Sequence, residues 1–321
     1  MLALKLKGIL ELCRIANLPT AWADILCGWL VAGSVLGWPT DKTGSGLLLA
    51  WLLVATSGLY LSGMVWNDVF DVEEDQRERP HRPIPSGRVS RGLAMVLAGM
   101  LMAMGWLAGA VVSWKTNNAI AVALVSGLVA CILIYDGWTK RLPWGVLWLS
   151  ACRFGNVVLG ASPWVTEALV PVMSVAAVNA FYVLGLAVVA RPEVRQDGGV
   201  RRQLWFGGVL VLGAIGGAFL VAWLAQQGHF GHLVWGTSYG PEARWAVMCL
   251  AGAWAMTVTA ALLWTIRRAE PRAMQSTVRR LLQGIIVLDA FLAGAFAGPI
   301  ALALLLLVPL TVFLARYSSP T

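Results

Sequence analysis

Charge is what this sequence has least of. Only 12% of its 321 residues are Asp, Glu, Lys or Arg, while 59% are hydrophobic. A soluble domain carries about twice that share of charge, and the mean hydropathy of +0.73 lies far above the soluble range. Acidic residues are the scarcer sign, sixteen against twenty-four Lys and Arg. The five cysteines, Cys13, Cys27, Cys131, Cys152 and Cys249, have no CxxC spacing. They indicate neither a disulfide framework nor a zinc site and read as small packing residues. No Gly/Ser- or Pro-rich linker breaks the chain, so a single integral-membrane domain is expected over residues 1–321. No small-residue cleavage site follows the start, "MLALKLKGILELCR". Residues 1–17 therefore read as an interfacial helix rather than a cleaved leader.

What is present is a succession of apolar runs of about 20 residues, the length that crosses a bilayer as a helix. The runs fall at 18–37, 46–66, 92–113, 118–135, 144–162, 168–190, 203–225, 244–266, 281–297 and 299–315. Only "AGP" separates the last two, which form either a tight hairpin or one long kinked helix. The expected fold is all-α: a polytopic membrane bundle of nine or ten transmembrane helices. Two long connections four spans apart suggest two pseudo-repeated four-helix halves around a central cavity. The cations cluster before the first run and after the second, fourth, sixth and eighth, as the positive-inside rule predicts for cytoplasmic loops. The net charge of +8 thus reflects topology and implies no nucleic-acid partner. The expected location is a bacterial inner membrane, with the loop after the second run facing the cytoplasm.

That loop, "NDVFDVEEDQRERPHRPIPSG" at 67–87, holds six of the sixteen carboxylates. Asn67, Asp71 and Asp75 are spaced i, i+4, i+8 and share one helical face. Like charges stacked in this way repel, and a divalent cation relieves the repulsion. Mg²⁺ takes hard oxygen ligands and is usually held by one or two carboxylates plus substrate phosphates. The pattern therefore points to a Mg²⁺–diphosphate site at the mouth of a bundle, against the plainer alternative of a solvated charged loop. Arg79, Arg82 and Arg88 follow, and Pro80, Pro83 and Pro85 stop the helix. These guanidiniums suit phosphate oxygens or anionic lipid head groups.

Asn67-Asp68-x-x-Asp71-x-x-x-Asp75 followed by Arg79-Pro80-x-Arg82-Pro83-Ile84-Pro85-Ser86-Gly87 closely resembles the signature of the UbiA superfamily of intramembrane prenyltransferases. The resemblance extends to the layout of spans, and it implies Mg²⁺-dependent transfer of an isoprenoid from its diphosphate. On that reading Asn67, Asp68, Asp71 and Asp75 are metal ligands. The family's second acidic motif corresponds here to "ARPEVRQDGGVRR", where Glu193 and Asp197 are the candidate ligands in basic surroundings. This departure suggests a divergent branch, similar to EboC-like members. Arg14 and Asn17 resemble the family's diphosphate-facing opening. Tyr135, Asp136, Lys140 and Arg141 resemble its Tyr-x-x-x-x-Lys-Arg segment, with Lys140 against the leaving group.

Polar groups inside the spans are costly and so mark function or a hydrogen-bonded network. Arg153 and Asn156 read as an active-site wall, and Asp24 and Asn179 as weaker candidates; Asp289 has no assigned role. Trp38, Trp114, Trp138, Trp144, Trp164 and Trp235 read as interfacial anchors. His229 and His232 lack a third ligand nearby, so no metal is expected there. The expected substrates are a prenyl diphosphate and a hydrophobic acceptor, with an aromatic ring among the candidates, in a membrane-lipid setting. The rival functions are a terpene cyclase or a polyprenyl-phosphate phosphosugar transferase on the same fold, or a transporter of lipid-linked precursors.

Overall fold

In a bilayer no water satisfies backbone N–H and C=O groups, so apolar runs of this length are forced into helix. The computed structural model describes residues 2–37, 42–191, 199–230 and 241–316, and no strand occurs among them. The helices are α1 (Leu2–Leu12), α2 (Leu18–Leu36), α3 (Lys42–Phe70), α4 (Val72–Glu78), α5 (Arg91–Thr116) and α6 (Ile120–Ile134). They continue as α7 (Val146–Ala161), α8 (Leu169–Ala190), α9 (Gly199–Gln226), α10 (Pro241–Arg268), α11 (Pro271–Ala297) and α12 (Leu307–Leu314). A 3-10 turn at Ile15–Asn17 leads into α2, and a π-turn at Tyr135–Thr139 ends α6.

Local chemistry sets the boundaries. Gly37, at φ 76°, closes α2 in the left-handed region. The Ser90 hydroxyl accepts from the Leu93 N–H at 3.3 Å and caps α5. Pro271 opens α11, where its missing N–H costs nothing. Gly298, at φ 72°, ends that helix, and the 298–306 segment then packs back along α11 while α12 reaches α2 and the 15–17 turn. Of the two forms open to the C-terminal pair, the chain takes the hairpin.

Eight segments among the described residues are long and apolar enough to cross a membrane. The difference from nine or ten lies in two places. α7 has 16 residues, about 24 Å, shorter than the usual span. Residues 271–314 form one continuous helical segment despite the reversal at Gly298. Two helices also run further than their apolar runs. α3 extends to Phe70 and carries Asn67 and Asp68 within it, and α11 starts at Pro271 because its first ten residues are amphipathic rather than apolar.

Helices approach closely where glycine removes a side chain. A Cβ on Gly28 of α2 would lie 2.0 Å from the Val157 carbonyl oxygen of α7, and one on Gly160 of α7 would lie 2.2 Å from that of Ile25. This reciprocal contact seats α2, the helix that also packs on α3 and α11. Trp114, Trp138 and Trp144 are exposed at helix ends, as anchors should be. Trp164 is not an anchor: it packs on Trp29, ring centroids 4.5 Å apart. Trp38, Trp235 and His232 lie outside the described residues.

Gly160→Val drives a branched side chain into the α2 backbone. We expect a loss of about 3 kcal/mol or more, the upper end of overpacking, read as a lower melting temperature in detergent; a variant that melts like the native chain would refute the close seat.

Candidate active site

The acidic run keeps its helical register across a break. α3 ends at Phe70 and α4 begins at Val72, yet the Asp71 N–H donates to the Asn67 carbonyl at 3.1 Å. The Asp75 N–H donates to that of Asp71 at 2.8 Å, and the Arg79 N–H to that of Asp75 at 2.9 Å. Each step of four residues turns about 40° around the axis. Asn67 and Asp75 therefore lie about 80° apart at the two sides of one face, with Asp71 midway and Asp68 beside Asp75.

Different parts of the chain meet the two sides. On the first, Asn67 Nδ2 donates to Asp136 Oδ1 at 2.9 Å, Lys140 Nζ pairs with Asp71, and Arg141 reaches Glu74 at 3.1 Å. Asp136, Lys140 and Arg141 all come from the π-turn and the residues after it. The Lys140 N–H donates to the Tyr135 carbonyl five residues back at 2.9 Å, the hydrogen bond of a π-turn. Arg191, at the end of α8, donates to the carbonyls of Lys140, Leu142 and Pro143 and clamps this loop. On the second side, Arg82 donates to Asp75 at 2.7 Å and to Asp68 at 3.4 Å, and Arg79 stands 3.8 Å from Asp75.

Arg14 completes the mouth by donating to Asp68 at 3.0 Å. Its backbone sits at φ 44°, ψ 47°, a left-handed conformation that costs a non-glycine residue about 1 kcal/mol or more. The surroundings hold it there. Leu12, Cys13 and Ile84 pack with Val65, Val69 and Val89 in one apolar cluster, and Glu11 pairs with Arg88 at 2.6 Å. α1 thus lies against the end of α3 and the proline loop.

Arg153 and Asn156 stand one layer deeper than this cluster. Arg153 donates to Asp24 at 2.8 Å and to Thr20 at 2.9 Å, and Thr20 donates to the Asn17 carbonyl at 2.7 Å. Asn156 donates to Asp24 at 2.9 Å and accepts from Thr56 at 2.8 Å. Asn179 donates to Asp24 at 3.3 Å and to Asp289 at 2.8 Å. A polar seam therefore runs from Asn17 through Arg153 and Asp24 to Asp289, and both carboxylates are fully buried. Asp289, for which the sequence offers no role, is the far end of this seam.

Glu193 and Asp197 lie outside the described residues. Among the described residues no three acidic, His or Cys side chains gather into a metal cage. The donors on offer are the Asn67 amide oxygen and the Asp71 and Asp75 carboxylates. This is the partial, hard-oxygen set that Mg²⁺ accepts when phosphate oxygens complete the shell, so the residues fit that ion. An apolar groove of about 380 Å³ opens between α2, the start of α3 and the C-terminal hairpin, lined by Leu26, Trp29, Leu30, Leu49, Ile300 and Leu304.

Sequence reasoning under-reads Asp136, Thr20 and Arg191. A carboxylate at the end of an apolar span is the available signal for Asp136. The other two act through contacts distant in sequence.

Charged groups gathered at helix ends above apolar walls define an integral membrane protein suited to a molecule with an anionic head and an oily tail. The model of the UbiA prenyltransferase family matches residues 17–201, more than half of the chain, and the chain belongs to that family. Several relatives carry the name digeranylgeranylglyceryl phosphate synthase. The one from Hyperthermus butylicus is 33% identical over 181 residues, 52% of this chain and 57% of its own length. The one from Methanothrix thermoacetophila is 32% identical over 170 residues, 52% of this chain and 59% of its own. The match therefore spans less than two thirds of those relatives. Two solved structures share the fold. One is described as digeranylgeranylglyceryl phosphate synthase in membranes (TM-score 0.57, 20% identity, covering 91% of this chain and 99% of that one). The other is an apo UbiA homologue from Aeropyrum pernix K1 (TM-score 0.53, 16% identity, covering 87% and 96%).

Asp24→Ala strips Arg153 of its counter-ion inside the bundle, which costs about 3–5 kcal/mol. We expect a marked fall in melting temperature in detergent, with recovery when Arg153→Met is added; equal stability of the native chain and the single variant would refute the seam's structural weight.

Proposed function

We propose that the protein transfers a prenyl group from a prenyl diphosphate to an acceptor at the cytoplasmic mouth of the bundle, in a Mg²⁺-dependent reaction. The observation that carries this reading is the unbroken register of Asn67, Asp71 and Asp75 opposite Lys140, Arg82 and Arg14. A negatively charged head needs both kinds of group: oxygen donors for its counter-ion and cations for its own oxygens. Asn67, Asp71 and Asp75 would hold Mg²⁺, with Glu193 and Asp197 as further proposed ligands, and the bound ion would neutralise charge on the diphosphate. Lys140 and Arg82 each have a carboxylate partner, and both trade it for phosphate oxygen as the head enters. Arg79, half exposed, is the outer guanidinium.

The tail runs down the apolar groove. Its Leu49 lies 18 residues before Asn67 on the same helix, roughly 27 Å along the axis, so the groove would receive the far end of the tail and none of its lining residues belongs to the mouth. Heterolysis of the C–O bond leaves an allylic cation and a free diphosphate that keeps the bonding electron pair. Lys140, carried on the loop that Arg191 clamps, stabilises the charge that develops on the leaving oxygen. The apolar walls keep water from the cation until the acceptor attacks, and the proton the acceptor loses passes to the departing diphosphate. Arg153 and Thr20 stand beneath the mouth and are tied to Asn17 through the Thr20 hydroxyl. For the acceptor, the names of the relatives favour glyceryl phosphate over an aromatic ring.

The test is Mg²⁺-dependent release of diphosphate from a prenyl diphosphate, assayed with a glyceryl phosphate acceptor and, in parallel, with an aromatic one. Asp71→Ala and Asp75→Ala are expected to lose activity while still folding. Lys140→Ala is expected to fall about 10²–10³-fold, the usual cost of one charge-stabilising donor. Native activity in Asp71→Ala would sink the assignment. Cyclised hydrocarbon without acceptor would point instead to a cyclase.

A further inference from the structure

α3 and the π-turn meet as a ladder. Asn67 faces Asp136 and Asp71 faces Lys140, so positions four apart on one strand of helix pair with positions four apart on the other. The second rung is an ion pair. The first is not: it joins a neutral carboxamide to a carboxylate that is only 8% exposed. An Asn side chain can present either its NH₂ or its oxygen to a neighbour. Against a carboxylate only the NH₂ is tolerated, because the flipped form would set two acceptor oxygens about 3 Å apart. Asp136 therefore holds Nδ2 and turns the Asn67 oxygen away from itself. No described residue donates to that oxygen, and it is not among the enclosed polar atoms left without a partner.

We propose that Asp136 is a positioning residue that fixes the Asn67 carboxamide with its oxygen toward a Mg²⁺–diphosphate head. The inference rests on the function proposed above and adds a residue to it. A freely flipping amide would offer NH₂ to the cation half of the time, and that orientation repels it. The π-turn is what makes the bond: it sets Asp136 beside Asn67 and keeps Lys140 on Asp71, and the Thr139 hydroxyl secures it by donating to the Ile134 carbonyl at 3.2 Å.

The experiment uses the full-length chain in detergent and titrates Mg²⁺ in the presence of inorganic pyrophosphate, with binding read by calorimetry and folding by melting temperature. Asp136→Asn keeps the shape but lets both amides flip. Its Mg²⁺ midpoint is expected to rise about 10–100-fold, the usual effect of losing a partner that orients a ligand, with a native melting temperature. Asn67→Asp alone sets two carboxylates against each other and should also weaken binding. In Asn67→Asp combined with Asp136→Asn the donor and acceptor exchange places, the bond re-forms, and the midpoint is expected to return to within about threefold of native, the non-additivity that marks a direct contact. A native midpoint in Asp136→Asn overturns the inference, as does a double variant no better than its singles. If Asp136→Asn does not fold, the double variant decides in the same way. Absence of any Mg²⁺-dependent pyrophosphate binding by the native chain would instead bring down the proposed function itself.

Discussion

Carboxylates packed into a little over two turns of helix can stand together at a membrane surface only if other parts of the chain answer them. Asp68, Asp71 and Asp75 each meet at least one cation, and Glu74 meets Arg141. The answering groups come from the turn after α1, the proline loop and the π-turn after α6. The mouth is therefore an electrostatic junction that ties the N-terminal part of the chain together. Its exposed pairs, such as Arg141 with Glu74, are worth little in isolation, about 1 kcal/mol or less. The collective effect of the junction is geometric. It holds carboxylates and cations in the same small volume without letting either collapse onto itself.

The same logic operates deeper, where it is stricter. Asp24 is fully buried and accepts from Arg153, Asn156 and Asn179, which come from α7 and α8. In a low-dielectric interior such a carboxylate is tolerable only when its lone pairs are filled. That requirement fixes the rotation of α7 and α8 about their axes relative to α2. The contacts of Gly28 with Val157 and of Gly160 with Ile25 fix the distance between α2 and α7. Together the two constraints set α2, whose mouth end carries Thr20 three residues after Asn17.

The fold class and the acidic face are legible in the sequence because both are local. Runs of about twenty apolar residues give helices, and the spacing of Asn67, Asp71 and Asp75 gives one face. The register survives even the turn at Asp71, which no pattern announces. Long-range partners are not legible. Arg153 reads as a costly cation in a span, but its partner Asp24 lies 129 residues away, and periodicity carries no information across that distance. Trp164 misleads for a related reason: its place at a span end suggests the interface, while its ring packs on Trp29 of another helix. The start of α11 is hidden because Arg272, Arg279 and Arg280 lower the hydropathy of a stretch that is still helical.

Regular and irregular backbone are divided in a way that suits a reactive mouth. The interior rests on long helices seated by glycine and filled by small apolar side chains. The mouth is assembled from what is left when helices stop: a left-handed residue at Arg14, a 3-10 turn at Ile15–Asn17, the bend at Asp71 and the π-turn at Tyr135–Thr139. Irregular backbone at membrane depth is tolerable only where other protein groups or water satisfy it. Here side chains supply that satisfaction, as when Arg191 takes three carbonyls of the loop that carries Lys140. This is a level of the bundle where side chains can exchange partners without unpacking a helix, as the proposed entry of a charged head requires. The strain that accompanies this freedom sits at Arg14, whose left-handed backbone is held in place by the packing of Leu12 and Cys13 on one side and by Asp68 on the other.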